Sequence, residues 1–123
     1  MRVVYVEDND ANFTLVRKLL EASGEFVVKG AATGEEALEL IAADPPDVVL
    51  LDLDLPGISG LEVAVRLKAD PRLAAIPLVA ISASVMKQER DQALAVGCVA
   101  FVEKPFDIQQ LRRVVSEAAA GST

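Results

Sequence analysis

The stretch Asp47-Val-Val-Leu-Leu-Asp-Leu-Asp54, followed by Leu55-Pro56-Gly57, decides the fold. The aliphatic run Val48 to Leu51 has no polar residue alternating through it, so it reads as a strand buried on both faces. Strands of that kind belong to parallel sheets covered by helices on either side. The run ends abruptly at Asp52. Three other apolar runs end in a similar way: Val3 to Val6 before Glu7-Asp8, Leu78 to Ile81 before Ser82, and Val99 to Val102 shortly before Lys104-Pro105. Ligands of open α/β sheets bind at the carboxyl ends of the strands, so the four endings are expected to converge in one crevice. An acid pair, a lone aspartate, a hydroxyl and a lysine brought together there could bind a divalent cation and handle a phosphoryl group.

The segments between the runs have helix length and helix periodicity. Asn9 or Asp10 can cap a helix whose apolar positions Phe13, Val16, Leu19 and Leu20 share one face, and Gly24 ends it. A second strand is expected at about Phe26 to Ala31. Thr33-Gly-Glu-Glu36 has the form of a capping box, with Ala37, Leu38, Leu40 and Ile41 as the buried stripe and Pro45-Pro46 as the break. Leu55-Pro56-Gly57 forces a turn, and Ser59 with Glu62 makes a second capping box for a helix that stops around Asp70-Pro71. A fourth helix is expected from Val85 to Val96 before Gly97. Its charged residues Lys87, Glu89, Arg90 and Asp91 leave a thin apolar face, as suits an element that shifts. Ile108, Leu111, Val114 and Val115 mark the last helix. Strands alternating with helices, joined by right-handed crossovers, give a doubly wound parallel sheet of five strands in order 2-1-3-4-5 with helices on both faces. One domain over residues 1–119 is expected, with 120–123 as a flexible tail.

Composition narrows the functions. With 123 residues, 52% apolar and 25% charged, the chain is long and apolar enough to fold around its own core. A net charge of -7 argues against direct nucleic-acid binding, which relies on lysine and arginine neutralising phosphates. No apolar run approaches the roughly 20 residues that span a bilayer, and the first strand starts almost at Met1, so a cytoplasmic protein without a signal peptide or membrane association is expected. The single Cys98 has no partner for an internal disulfide and suits a small apolar position near the last strand. The chain has no histidine, which excludes Ser-His-Asp hydrolysis, a Cys-His pair, zinc sites of the usual kind and a phosphohistidine carrier.

Glu7-Asp8, Asp52-x-x-Leu55-Pro56-x-x-Ser59-Gly60, Ile81-Ser82-Ala83 and Lys104-Pro105-Phe106, in this order and at these separations, resemble the receiver (CheY-like) domain of two-component response regulators. The resemblance covers essentially the whole chain. Glu7-Asp-Asn9, Ile76-Pro-Leu-Val79 and Phe101-Val-Glu-Lys-Pro-Phe106 are most similar to stand-alone, DivK-like receivers and to those of hybrid histidine kinases. The start at strand one and the short tail fit a free-standing protein as well as a receiver cut from a larger kinase.

Asp52 is the expected phosphoacceptor. Its carboxylate would attack the phosphorus of a phosphohistidine on a histidine kinase or phosphotransfer protein, giving an acyl phosphate. Glu7 and Asp8 add charge that repels Asp52 unless a cation neutralises it, and Mg²⁺ or Mn²⁺ suits such an all-oxygen site. The resemblance adds the backbone carbonyl of Asp54 as a ligand, a cis Lys104-Pro105 peptide, and Phe101 as a switch aromatic moving with Ser82. Lys104 would offset charge on the phosphoryl oxygens, and Ser82 would donate a hydrogen bond to one of them. The protein would then be a signalling phosphoacceptor, catalysing only its own phosphorylation and slow dephosphorylation. Its output to a downstream protein would pass through helix four, strand five and helix five. Glu7 and Ser82 stand where aspartate and threonine are commoner in the family.

Other classes fit less well. Asp52-Leu53-Asp54 also resembles the DxD of haloacid-dehalogenase-type phosphatases, but there the motif lies on the first strand and a cap domain follows. A flavodoxin-like flavin carrier would need a glycine- and hydroxyl-rich phosphate loop after strand one, where Glu7-Asp8-Asn9-Asp10 would repel the phosphate. A receiver-like module that binds partners without phosphorylation is opposed by the intact set of anchors.

Overall fold

The computed structural model describes residues 1–55, 57–83 and 86–120. Five parallel strands, β1 (Arg2–Val6), β2 (Val27–Ala31), β3 (Val48–Asp52), β4 (Leu78–Ser82) and β5 (Ala100–Glu103), form one sheet in the order β2-β1-β3-β4-β5. Helices α1 (Asp10–Glu21), α2 (Gly34–Ala43), α3 (Gly60–Ala69), α4 (Lys87–Ala95) and α5 (Ile108–Ala119) alternate with them. The expected doubly wound architecture and strand order are both present.

Strand pleat sorts the side chains into two cores. Val4, Val6, Val49, Leu51, Leu78 and Ala80 point to the side packed by α2, α3 and Ala93 of α4. Their neighbours Val3, Tyr5, Val48, Leu50, Val79 and Ile81 point to the side packed by α1 and α5. All five residues of β3 are buried, as the run without alternation implies for a central strand.

Local signals explain most helix starts. Asn9 Oδ1 accepts from Asn12 N at 2.9 Å, Thr33 Oγ1 from Glu36 N at 3.1 Å, Ser59 Oγ from Glu62 N at 3.2 Å, and Asp107 Oδ1 from Gln110 N at 2.7 Å. Glu36 reaches back to Ala32 N, whereas Glu62 pairs with Arg66 four residues on, so the box at Ser59 is one-sided. Helix α4 has no side-chain cap; Met86 occupies that position.

Several boundaries differ from the sequence expectation. Strand β2 starts at Val27, with Phe26 buried just before it. Strands β3 and β4 each extend one residue further, so Asp52 and Ser82 are the last rungs of the ladder and not the first residues beyond it. Strand β5 begins at Ala100; Val99, expected as its first residue, is exposed, although its amide already donates to Leu78 O at 2.8 Å. Leu19, expected on the buried stripe of α1, is also exposed, since the sheet covers only Val16 and Leu20 fully. Helix α4 begins at Lys87; Val85 lies outside the described residues, as do Pro56 of the expected turn and residues 121–123 of the expected tail.

Candidate phosphoryl-transfer site

The pleat also distributes the chemistry. Asp52 follows the parity of Val48 and Leu50 and sits on the α1/α5 side of the sheet end. Glu7 follows Val3 and Tyr5 to the same side, and its amide extends the ladder by donating to Ala31 O at 3.0 Å. Carboxylate oxygens of Glu7, Asp8 and Asp52 lie within 4.8 Å of one another, with Glu7 and Asp52 buried and Asp8 exposed. Lys104, arriving from the β5 side, places Nζ 2.6 Å from Asp52 Oδ2 and 4.0 Å from Glu7 Oε1. The Lys104-Pro105 peptide is cis.

Only glycine allows the close approach that frames this site. A Cβ on Gly60 would lie 2.6 Å from the Asp52 carbonyl oxygen and 2.7 Å from Leu53 Cα, so the first turn of α3 presses directly on the end of β3. Gly57, at φ +73, turns the chain between them. Asp52 Oδ1 accepts from Asp54 N at 2.8 Å, which fixes one carboxylate oxygen and leaves the other to Lys104.

Three acids beside one lysine carry excess negative charge, and the strain shows in Glu7. Burial, then a hydrogen bond shared with Asp52 and the charge of that residue, push its carboxyl up to about 7; Lys104 and Asn12 oppose the shift only in part. Asn12 Nδ2 donates to Glu7 Oε1 at 3.3 Å. Burial works to lower the Lys104 ammonium, but its contact with Asp52 and the charges of Glu7 and Asp54 override that and raise it above the ordinary lysine value. Such an all-oxygen donor set, with one exposed member through which a hydrated ion can enter, fits a hard divalent cation.

Ser82 and Phe101 lie on the opposite, α3/α4 side. Ser82 follows the parity of Leu78 and Ala80 and is fully buried. Its Oγ donates to Glu89 Oε1 of α4 at 2.7 Å, with Asp54 Oδ2 farther off at 3.5 Å. The Asp54 side chain accepts from Ala83 N at 3.2 Å. Phe101 is half-buried against the α3/α4-side core, and the Arg90 guanidinium carbon lies 5.6 Å from its ring centroid. The structure therefore brings Glu7, Asp8, Asp52 and Lys104 into one cluster and seats Ser82 and Phe101 across the sheet from it, with Asp54 between.

Three residues of this region are given no part in the site by the sequence. Tyr5 is buried under Glu7, and burial together with the Glu7 and Asp52 charges pushes its phenol up. Its spacing of two residues from Glu7 on one strand face was the available signal. Asn12 has only its place in the first turn of α1. Glu89, seven residues after Ser82 with the β4–α4 connection between them, has no local signal. Beside the acidic cluster a cleft of about 510 Å³ opens, floored by Tyr5, Glu7 and Lys104 and walled by Leu15, Leu19 and Phe106.

Comparison with known proteins gives one result throughout. The response regulator receiver domain family matches residues 3–116. The polar-differentiation response regulator DivK of Brucella ovis is 42% identical over 106 residues, covering 86% of this chain and 85% of that protein. DivK of Brucella anthropi matches at the same identity and coverage. The receiver domain of the Pseudomonas aeruginosa sensor histidine kinase PA1611, solved with a magnesium ion in its active-site cleft, superposes with a TM-score of 0.88 at 25% identity over 97% of each chain. The Vibrio cholerae chemotaxis protein CheY4 shares the fold, with a TM-score of 0.88 at 23% identity over 95% of this chain and 97% of that one.

Proposed function

Because the chain belongs to the response regulator receiver domain family and is a signalling receiver of two-component systems, we propose that Asp52 is its phosphoacceptor, charged from a phosphohistidine on a histidine kinase or phosphotransfer protein. The observation that supports this most is the Lys104 ammonium 2.6 Å from the Asp52 carboxylate, in a cluster with Glu7 and Asp8 at the sheet's carboxyl edge. Glu7, Asp8, Asp52 and the Asp54 carbonyl would hold Mg²⁺ or Mn²⁺, which when bound neutralises the acid cluster and orients phosphoryl oxygens.

The remaining steps belong to the chain itself. The Asp52 oxygen now held by Lys104 attacks phosphorus; an O–P bond forms while the N–P bond to the donor imidazole breaks, and the imidazole nitrogen keeps the electron pair. Asp54 N keeps the other Asp52 oxygen in place during attack. Lys104 then passes from the carboxylate to a phosphoryl oxygen, offsetting charge where it develops. Ser82 donates to another phosphoryl oxygen, and Phe101 repacks with it, altering the surface of α4, β5 and α5 that meets a downstream protein. The apolar cleft contiguous with Lys104 is the docking surface for the phosphodonor.

On this reading residues 1–119 are the receiver unit, the protein works in the cytoplasm, and it binds neither membrane nor nucleic acid. It catalyses its own phosphorylation from small phosphodonors and its own slow dephosphorylation. Incubation with acetyl phosphate and Mg²⁺ should add one phosphoryl group by intact mass, and Asp52→Asn should abolish the adduct. An unmodified wild type, or an undiminished adduct in Asp52→Asn, would overturn the assignment, the first result favouring a module that works without phosphorylation. Steady release of phosphate from simple phosphomonoesters would favour a phosphatase.

A further inference from the structure

Ser82 Oγ carries one proton, and the geometry shows where it goes. At 2.7 Å Glu89 Oε1 is within strong hydrogen-bond range, whereas Asp54 Oδ2 at 3.5 Å is at its limit. We propose that Glu89 is a positioning residue that competes with the phosphoryl group for the Ser82 proton, so that the same carboxylate that seats helix α4 opposes the phosphorylated state. The inference rests on the phosphoacceptor reading given above.

Helix α4 is lightly buried. Among its described residues only Ala93 is buried, and its N-cap makes no side-chain hydrogen bond. Its attachments near the site are polar and adjacent in sequence. Glu89 takes the Ser82 proton at the end of β4, while Arg90 bonds Glu103 at 2.7 Å on β5 and covers Phe101. The two residues thus grip neighbouring strand ends. A phosphoryl oxygen that captures the Ser82 proton must take it from Glu89, because a hydroxyl donates only once. Glu89 then loses its hydrogen bond to the end of β4, and α4 loses one of its polar attachments near the site. Coupling of this kind is reciprocal: whatever weakens the grip of Glu89 on Ser82 favours the phosphorylated state by the same factor.

Glu89 also stands in the first turn of α4, where any carboxylate favours the helix, and its negative charge would repel a phosphoryl mimic without help from Ser82. A cycle with Ser82 separates these effects. Beryllofluoride with saturating Mg²⁺, titrated into the full chain and followed by backbone amide NMR, reports affinity for a phosphoryl mimic. Glu89→Ala should tighten that affinity by roughly tenfold, the scale of one charge-assisted hydrogen bond. Glu89→Gln, which keeps an acceptor without the charge, should give a smaller gain. In a Ser82→Ala background Glu89→Ala should change affinity by less than about twofold. Unchanged or weaker binding by Glu89→Ala, or a gain that survives intact in Ser82→Ala, would overturn the role of Glu89 and leave the acceptor reading standing. Failure of the wild type to bind beryllofluoride would overturn both.

Discussion

The two sides of the sheet edge differ in how they are built. On the α1/α5 side, Glu7 and Asp52 are buried, Lys104 is locked to Asp52, and the flanking helices bury Val16 and Leu20 of α1 and Leu111, Val115 and Ala118 of α5. On the α4 side one residue of the helix is buried and the attachments to the sheet are a hydroxyl, an ion pair and a cation over a ring. Close packing fixes positions to fractions of an ångström and resists change. Polar contacts can be exchanged for other hydrogen bonds at little net cost. The closely held acid–lysine cluster sits on the first side, and the more loosely attached helix sits on the second.

The largest test of that contrast is Lys104→Ala against Arg90→Ala. Removing Lys104 should lower adduct formation from acetyl phosphate at least tenfold, since it takes the cation away from the carboxylate proposed as nucleophile, while Arg90→Ala should leave the rate within about threefold. Equal losses would erase the distinction between the two sides. Core truncation should show the same asymmetry in stability. Leu111→Ala in α5 should cost about 2–5 kcal/mol by urea unfolding, whereas Leu94→Ala in α4, at an exposed position, should stay within about 0.5 kcal/mol.

A smaller effect concerns pH. The Glu7 carboxyl, raised to about 7 when folded, binds a proton in the metal-free native state that the unfolded chain releases near the ordinary carboxylate value of 4.5. The native form therefore holds more protons between these values, and the Glu7 contribution to stability is fully present below about 4.5 and lost as pH rises through about 7. In EDTA, melting curves of the wild type should lose stability relative to Glu7→Gln between pH 5 and pH 8, and parallel curves would contradict the charge crowding. The least effect is expected at the Arg90–Glu103 pair, where both side chains are about half exposed. Glu103→Ala should change unfolding free energy by no more than about 1 kcal/mol, yet hydrogen exchange should quicken in α4 and not in α5.

What could be read before folding follows from what is local. The unbroken run Val48 to Leu51 marks a doubly covered strand, the capping residues Asn9, Thr33 and Ser59 mark helix starts, and strand-end acids predict a shared crevice, because each depends on residues close in sequence. Errors arose where a neighbour far along the chain decides. Leu19 belongs to the apolar stripe by periodicity, yet the sheet does not reach it; Val99 continues an apolar run, yet its side chain is left exposed.

By itself, then, the sequence determined the doubly wound architecture and carried Glu7, Asp8, Asp52, Ser82 and Lys104 to one edge, since strand ends in a parallel sheet meet there whatever the details of packing. Tertiary structure alone decided which helix covers each side of that edge and which side chains meet there. A one-residue shift in where a strand stops does not alter the pleat but does alter whether a side chain is a rung or a loop, and the pleat places Asp52 with Glu7 and Ser82 with α4. The Ser82 contact with Glu89 exists only because β4 and α4 pack together, a proximity no spacing in the sequence encodes.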